Sequence, residues 1–408
     1  MLTREGWFVG LGGVGLILMG RLLGVRELYA LGAAAIALLI LAAATMSVTR
    51  LRLEVGRELY PPRVHAGTLS RVELRVRNVS LRRTPVLRLA DPVSGTRGAE
   101  LLLGPLEPQG TARAAYRLPT DKRGVLKVGP LQVVLGDPFG LTSVATVAAP
   151  RTELTVFPRV DDIVAMPHTT GHDPHAGADH PNALGRTGED FYALRPYEVG
   201  DDLRRVHWPS TARHDELMVR QDELPWQGRA TVLLDVRRST HTTASLELAV
   251  SAAASIVTVC WRRRDLVRLL STDGADSGFA AGHAHVEAIM EHLAVVQATP
   301  GGTLRGALDA LRRSGAGGHL VVIVANLAPA ELDSVAQLSP SFGALTVLQF
   351  ERSSWDPSAP APTSRLGPSV LRVTRERPFV DAWNQAMARR GRGAGRPPAA
   401  TVVASVAE

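Results

Sequence analysis

The sequence predicts a multidomain protein: an N-terminal transmembrane helical hairpin, an antiparallel β-sandwich, and then an α/β domain built on a parallel sheet. Three observations support this fold class. Two long apolar blocks open the chain, short runs with alternating apolar residues follow, and the last part alternates buried-type strands with helices. At 408 residues with 45% hydrophobic content, the chain is long enough for two or three domains with their own cores.

Residues 1–49 are predicted to form two transmembrane helices. The stretch from Leu28 to Val48 has no charged residue and is long enough to cross about 30 Å of hydrocarbon. The stretch from Trp7 to Val25 is interrupted only by Arg21, which can snorkel to an interface. The connection between them is short, so both ends of the hairpin lie on one side of the membrane. We expect a two-pass protein of the cell membrane.

The arginines around the hairpin predict its orientation. More of them flank the two chain ends of the hairpin than its turn, and the positive-inside rule then places the soluble domains in the cytoplasm. The first group is Arg4, Arg50, Arg52 and Arg57, and the second is Arg21 and Arg26.

Composition excludes several classes of protein. The net charge of +7 would suit nucleic-acid binding, but the positive charge is scattered and not set in one stripe. We therefore expect no nucleic-acid partner. The single cysteine, Cys260, excludes an intramolecular disulfide and a cysteine-based zinc cluster.

Residues 50–159 are predicted to form the β-sandwich, with about seven antiparallel strands separated by turn residues. Residues 160–187 form a His-, Gly- and Pro-rich segment. A disordered loop is the favoured interpretation, because no helical period aims the imidazoles at a common point; a metal site is the alternative. The candidate ligands would be His168, His172, His175, His180, Asp173 and Asp179.

Residues 229–390 alternate strands with helices, which predicts βαβ units and a parallel sheet covered on both faces. Ligands of such sheets usually lie beyond the carboxyl ends of the strands. Residues 391–408 are predicted to be a disordered tail.

The stretch LLDVRRST, which ends the first strand of this domain, resembles the metal-binding motif D-x-S-x-S of von Willebrand factor A-like domains. The resemblance implies a Rossmann-like fold and a magnesium site. Asp235 and Ser239 match the motif, and Thr303 matches the threonine of a second loop. Arg237 replaces the first serine, and Asn326 stands where a later aspartate is expected.

This degenerate set leaves two alternatives. Asp235, Ser239 and Thr303 could hold Mg²⁺, because carboxylate and hydroxyl oxygens are its preferred ligands. Alternatively, the Arg237 guanidinium takes the place of the metal beside Asp235. We favour the second alternative and expect no cofactor.

Residues 188–228 carry a charged segment that closely resembles the signature of the domain-of-unknown-function 58 family. The matching residues are Gly188, Phe191, Leu194, Arg195, Tyr197, Gly200, Asp201, Asp202, Arg204, Val206, Trp208, Ala212 and Arg213. The upstream stretch from Lys122 to Leu141 is similar to another family pattern, which ends in D-P-F-G-L.

The chemistry of this segment favours a structural clasp, with a partner-binding surface as the alternative. Gly200 permits a tight turn, and Asp201 or Asp202 can cap the helical turn that follows. The three arginines of the signature can pair with these acids, and the two aromatic rings can bury against the α/β domain. These residues are Arg195, Arg204, Arg213, Tyr197 and Trp208.

The family resemblance implies a bacterial membrane-anchored protein with no agreed activity, often encoded beside MoxR-type AAA+ ATPases. We therefore expect a non-enzymatic protein-interaction module that works with such an ATPase and with other cell-envelope proteins. One alternative is a metal-dependent adhesion or ligand-binding protein. The other is a hydrolase centred on Asp201, Asp202 and His207, which adjacent carboxylates with divergent directions disfavour.

Overall fold

A computed structural model describes residues 2–48, 52–137, 139–167, 190–197, 206–214, 216–223, 228–314, 317–359 and 370–394. The chain divides into two compact units, Met1–Phe157 and Pro158–Glu408. The predicted histidine-rich segment from residue 168 onwards and the predicted tail from residue 395 onwards lie outside the described residues.

The first unit begins with the helices α1 (Arg4–Leu23) and α2 (Arg26–Val48). Helix α1 starts after Thr3, whose hydroxyl accepts a hydrogen bond from the Gly6 N–H at 3.0 Å. The helices pack closely through glycine: a Cβ on Gly32 would lie 2.6 Å from the Gly13 carbonyl oxygen. Glycine is the residue that allows such an approach between apolar helices. The prediction of two N-terminal apolar helices, each long and apolar enough to cross a membrane, is confirmed.

Strands of three sheets make up the rest of this unit. The first sheet has the order β1-β3-β6, the second β2-β10-β7, and the third β5-β4-β8-β9. The strands are β1 (Leu53–Tyr60), β2 (Arg63–His65), β3 (Ser70–Asn78), β4 (Leu87–Asp91), β5 (Ala99–Leu103), β6 (Thr111–Leu118), β7 (Gly124–Val128), β8 (Leu131–Gly136), β9 (Ser143–Ala149) and β10 (Thr152–Phe157).

The strand pattern differs from the predicted sandwich of seven antiparallel strands. Ten strands are present among the described residues, and the pair β2–β10 is parallel. The extra strands include β2, which has only three residues and is too short to show a period in the sequence. All three sheets nevertheless share one apolar core, to which β3 contributes Val72, Leu74 and Val76.

A polar network crosses this core. Arg57 of β1 donates from Nη1 to Asp91 Oδ1 at 2.8 Å, and both side chains are 1% exposed. The Tyr116 hydroxyl donates to Asp91 Oδ2 at 2.6 Å. Burial and this bond to a carboxylate raise the pKa of Tyr116 above its ordinary value. The network links β1, β4 and β6, and therefore two of the sheets.

The second unit contains a two-stranded antiparallel sheet and a parallel sheet. Strands β11 (Asp190–Pro196) and β12 (Met218–Glu223) form the former, with α3 (Trp208–His214) between them in the chain. The parallel sheet has the order β14-β13-β15-β16-β17. Its strands are β13 (Arg229–Leu234), β14 (Leu266–Ser271), β15 (His319–Val324), β16 (Ala344–Phe350) and β17 (Val370–Val373), and every neighbouring pair is parallel. The predicted parallel sheet is confirmed.

The order of these strands reverses beside β13. Chain order runs from β13 outwards to β14 on one side and continues with β15 on the other. The connections that leave the carboxyl ends of β13 and β15 therefore cross opposite faces of the sheet. A crevice at such a reversal is where open α/β sheets usually carry their functional residues.

The crossover helices are α4 (Thr243–Arg262), α5 (His283–Val295), α6 (Leu304–Arg313) and α7 (Pro329–Ala336), and α8 (Phe379–Ala394) follows β17. Helix α4 is also long and apolar enough to cross a membrane, but 67% of its apolar window is buried inside the protein. It is a core helix of the sheet, because an all-round apolar helix can be buried by protein as well as by lipid.

The start of the predicted loop packs on this unit. The Asp161 N–H donates to Ser255 Oγ of α4 at 2.9 Å. Trp383 of α8, which is 1% exposed, donates from Nε1 to the Val164 carbonyl at 2.8 Å. Residues 161–167 therefore pack on α4 and α8 within the second unit, and residues 168–187 of the predicted loop lie outside the described residues.

Candidate functional site

Asp235 lies directly after β13, at the strand reversal. Its N–H donates to the Ile323 carbonyl of β15 at 2.9 Å, so the backbone is fixed to both central strands. The side chain is 0% exposed. A carboxylate in this position needs partners within the protein, since burying an unpaired charge is costly.

Arg237 is the main partner of this carboxylate. Its Nε donates to Asp235 Oδ1 and its Nη2 to Oδ2, both at 2.9 Å, in a bidentate pair. Its Nη1 donates to Glu331 Oε1 of α7 at 2.6 Å. Burial opposes the charge on Arg237, but the two carboxylates outweigh burial and raise its pKa. The expected pairing of Arg237 with Asp235 is confirmed.

Two threonine hydroxyls complete the shell of Asp235. Thr240 donates to Oδ2 at 3.1 Å, and Thr272, after β14, donates to Oδ1 at 3.2 Å. Together with Arg237, they give each carboxylate oxygen at least two donors. A carboxylate satisfied in this way has little capacity left for a cation.

Ser239, a predicted ligand, is not the hydroxyl that contacts Asp235. It is exposed, and its carbonyl accepts from Arg352 Nη1 at 3.1 Å. The irregular turn after β13 directs its neighbour Thr240 inwards instead. The expected second serine of the motif is thus replaced in space by a threonine one residue later.

Thr303 caps α6: its hydroxyl accepts from the Gly306 N–H at 3.1 Å. The loop before it lies beside the site, since the Arg238 N–H donates to the Thr299 carbonyl at 2.8 Å. Gly302 has a φ of +91°, and a Cβ there would lie 2.1 Å from the Thr272 carbonyl oxygen. Glycine is required where this loop meets the Thr272 backbone.

The structure gives no contact of Thr303 with Asp235, and Asn326 is exposed.

A cationic side chain holds the Asp235 carboxylate, and the hydroxyls of Ser239 and Thr303 named in the magnesium prediction do not. Within the described parts of the chain, no group of three or more His, Cys, Asp or Glu residues is positioned to share a metal ion. At Asp235 itself, the Arg237 guanidinium provides the positive charge that a metal would supply. The site is an ion triad of Asp235, Arg237 and Glu331.

The charged signature segment is described only in part. Gly200, Asp201, Asp202 and Arg204 lie outside the described residues, so the acids of the predicted clasp remain a prediction. Arg195 lies on β11 opposite Val219 of β12.

Trp208 does not bury its ring, contrary to expectation, and Tyr197 is only half-buried. Trp208 is 67% exposed because α3, which it begins, packs on β12 through another position. Thr211 is that position: its hydroxyl accepts from the Met218 N–H at 3.0 Å. Arg213 is also exposed on α3. The described aromatic and basic side chains of α3 therefore face solvent.

His207, the residue of the hydrolase hypothesis that the structure describes, lies directly before α3. His207 Nδ1 is 2.8 Å from Ser210 Oγ, and the Ser210 N–H donates to the His207 carbonyl at 3.0 Å. Both contacts belong to one helical turn, where a residue at the cap commonly meets the third helical position. The two proposed acids are not described, so catalysis here stays a hypothesis.

Parts of this chain are similar to known proteins. Residues 193–342 match the family described as Protein of unknown function DUF58. This DUF58 match includes the described part of the signature from Ala193 onwards, the ion triad and the Thr303 loop. Proteins of Mycobacterium bovis and Mycobacterium tuberculosis, both named as uncharacterized, are each 28% identical over 218 residues. The match covers 51% of this chain and 64% of each relative, so it spans less than two thirds of their length.

Solved structures resemble shorter stretches of the chain. The CARDB domain of a Pyrococcus furiosus protein, in complex with di-metal ions, is 14% identical with a TM-score of 0.21. The match covers 26% of this chain and 88% of the CARDB domain chain. A β-glucosidase from Erythrobacter marinus is 17% identical with a TM-score of 0.16, covering 23% of this chain and 15% of the enzyme.

A buried histidine beside the triad predicts acid sensitivity. His241 is 5% exposed, and burial lowers its pKa to about 4, against an ordinary value near 6.5. The unfolded chain therefore binds the proton first, and stability present above about pH 6.5 is lost as pH falls towards the folded pKa. We expect the free energy of unfolding of this unit to fall by about 3 kcal/mol more in the wild type than in His241→Gln over that window.

Denaturant unfolding at several pH values between 7 and 4, followed by hydrogen exchange of β13 and β15, measures this difference. His283→Gln is the matched control, because the His283 side chain is 75% exposed. Equal pH dependence of the wild type and His241→Gln would contradict the prediction.

Proposed function

We propose that this protein is a membrane-anchored, non-enzymatic protein-interaction module, and that its partner is a MoxR-type AAA+ ATPase in a cell-envelope assembly process. One observation carries the proposal: the Arg237 guanidinium is paired with the Asp235 carboxylate at the strand reversal. The position that would hold a metal or reacting group in an open α/β sheet is instead a fixed ion triad. Such a site stabilises a surface and does not supply chemistry.

Exposed side chains of the second unit suit a protein partner. Arg238, Ser239 and Asn326 are exposed around the carboxyl ends of β13 and β15. Trp208 exposes 67% of its surface within the DUF58-matching region. Tryptophan and arginine are the residues that most often dominate binding energy at protein interfaces. The von Willebrand factor A-like character of this domain, suggested by the motif around Asp235, is part of the same proposal.

The N-terminal helices supply the membrane part of the proposal. Both helices are long and apolar enough to cross a membrane, and little of their surface is buried inside the protein. Helices so apolar and so little covered by protein need a lipid environment. The distribution of arginines favours a cytoplasmic location for both soluble parts.

Trp208→Ala is expected to weaken binding of the full chain in lipid nanodiscs to a purified MoxR-type ATPase. A central interface tryptophan loses at least about 2 kcal/mol on truncation, so the dissociation constant should rise about 30-fold. Biolayer interferometry with the immobilised nanodisc gives this value directly. The fold should be retained, because the side chain is already exposed.

Trp261→Ala is the matched control, since Trp261 is a 40% exposed tryptophan on α4 of the same unit. It should bind as the wild type does. Unchanged binding by Trp208→Ala, or an equal loss with Trp261→Ala, would argue against this surface. Absence of binding by the wild type would remove the ATPase as the partner.

A further inference from the structure

The turn from Asp137 to Thr142, which contains the D-P-F-G-L pattern, is docked on the start of α1. The Thr3 N–H donates to the Leu141 carbonyl at 2.9 Å, and the Thr3 hydroxyl donates to the Gly140 carbonyl at 2.6 Å. A Cβ on Gly6 would lie 2.1 Å from the Leu141 carbonyl oxygen. The turn therefore lies where the first apolar helix begins.

Asp137 organises this turn from inside. Its carboxylate accepts from the Phe139 N–H at 2.8 Å and from the Thr142 hydroxyl at 2.9 Å, and also from the Thr142 N–H. Burial alone would raise the pKa of Asp137, but these donors together lower it. Phe139 projects from the turn with 57% of its surface exposed. A rigid turn thus presents an apolar ring beside the end of a membrane-spanning helix.

A second loop, residues 79–83, is bonded to Arg52, which follows α2 closely in the chain. The Val79 N–H donates to the Arg52 carbonyl at 2.9 Å, which extends the pairing of β1 with β3. Only residues 49–51 separate Val48 from Arg52, so Arg52 is within about 15 Å of the end of α2.

Asn78 holds this loop through its amide, which donates to the Arg82 carbonyl at 2.8 Å. At the tip, Leu81 is 88% exposed. The guanidinium groups of Arg52 and Arg82 are exposed, and within the described residues they pair with no carboxylate. The loop thus exposes a leucine next to Arg82, and its first residue is bonded to Arg52.

Both loops lie at the same end of the sandwich. In the pairing of β4 with β8, Leu89 faces Val133 and Arg88 faces Val134. Leu87, which follows the second loop, is therefore level with Leu135, which precedes the turn at Asp137. The two ends of the hairpin and the two loops converge on one surface.

We propose that Leu81, Phe139, Arg52 and Arg82 form a lipid-contacting surface that binds the headgroups of an anionic membrane. This inference rests on the proposed spanning of the membrane by α1 and α2. Aromatic and aliphatic side chains at this level enter the interface, and arginines beside them contact lipid phosphates. The occupant is a lipid surface because the headgroup layer begins where the apolar helices end. The hairpin would then span the bilayer while the sandwich contacts the headgroups on one side of it.

The test uses the full chain with a single environment-sensitive dye, attached at Leu81→Cys or Phe139→Cys and reconstituted in vesicles. Cys260 is buried and does not label in the folded protein. Vesicles contain phosphatidylcholine alone or mixed with phosphatidylglycerol, with doxyl-labelled lipid as quencher. Both labels are expected to shift their emission to the blue and to be quenched by shallow doxyl groups. Phosphatidylglycerol should strengthen the quenching at Leu81, and added salt should reverse that gain.

Leu69→Cys is the matched control, because Leu69 is a 67% exposed leucine at the opposite end of β3. Its label should stay unquenched; labels at Leu81 and Phe139 that behave like it would overturn the proposal. Arg82→Glu should reduce quenching at Leu81 in the anionic vesicles, whereas Arg117→Glu at the far end should not. Equal effects of the two reversals would also overturn it.

A label at Val14→Cys, 48% exposed at the middle of α1, reports on the span itself. Quenching there by deep doxyl groups, with none at Leu81 and Phe139, would refute the lipid-contacting surface while leaving the membrane anchor in place. No quenching at Val14 would refute both.

Discussion

Arg237→Ser is expected to lower the free energy of unfolding of the α/β unit by about 3–5 kcal/mol, because it leaves the buried Asp235 carboxylate without its cation. The same substitution restores a hydroxyl at the place that Mg²⁺-binding motifs require. Millimolar Mg²⁺ or Mn²⁺ should therefore recover part of the loss in the variant and leave the wild type unchanged. Denaturant unfolding with and without the metal, followed by hydrogen exchange of β13 and β15, measures both effects.

Arg238→Ser is the control, since the neighbouring Arg238 is exposed and its side chain donates to the Ala298 carbonyl at 3.3 Å. It should change the free energy of unfolding by less than about 0.5 kcal/mol. Stabilisation of the wild type by Mg²⁺, abolished in Asp235→Asn, would show that Asp235 holds a metal after all. It would favour the metal-dependent ligand-binding hypothesis over the interaction module.

Asp91→Ala is expected to destabilise the sandwich by about 3–5 kcal/mol, because the Arg57 guanidinium then remains buried without a carboxylate. Arg57 keeps its bond to the Thr152 hydroxyl at 2.7 Å, which is neutral and does not replace the lost charge. Tyr116→Phe removes one hydrogen bond of the network and should lose about 1 kcal/mol. Hydrogen exchange of β3 and β4 in the full chain gives these values.

Glu73→Ala provides the comparison for that result. Glu73 pairs with Arg71 at 2.7 Å on the outer face, where the two side chains are 46% and 56% exposed. Water screens such a pair, so its loss should cost less than about 1 kcal/mol. If Asp91→Ala were no worse than Glu73→Ala, the buried network would not be a main source of stability.

Local pattern was sufficient to predict the elements of the fold. The uncharged run from Leu28 to Val48 indicates a membrane helix by length alone, and the buried strand at Arg229–Leu234 is an apolar run bounded by polar residues. The outlines of both units follow from periodicity. The strand β2 did not, because three residues are too few for a period to appear.

The sequence could predict only those contacts of the candidate site that join residues close together in the chain. Arg237 lies two residues from Asp235, and the likeness to a motif pointed to both. Thr272 and Glu331 are 37 and 94 residues away from their partners in the triad region, so only the folded sheet brings them together. The one local signal for Glu331 was its position at the third residue of a helix, where an acid reaches back to the Ala328 N–H at 3.0 Å.

The choice of Thr240 over Ser239 shows a second limit. Both hydroxyls follow a strand end, and alternation of side chains no longer holds once the backbone leaves the ladder. Trp208 shows a third: its size suggested burial, but a seven-residue helix buries only one face. Which face that is depends on contacts with β12.

The close packing of α1 on α2 at Gly13 and Gly32 has a consequence for how this protein can be re-engineered. The Thr142 hydroxyl reaches the Ala42 carbonyl of α2 at 3.4 Å, while the same turn holds Thr3 before α1. The turn thus contacts both helices, and these contacts depend on the distance between α1 and α2. A generic pair of leucine-rich spans would retain the protein in a bilayer. It would, however, move Thr3 and Ala42 apart, and the turn of the sandwich could no longer contact both. The anchor is not interchangeable.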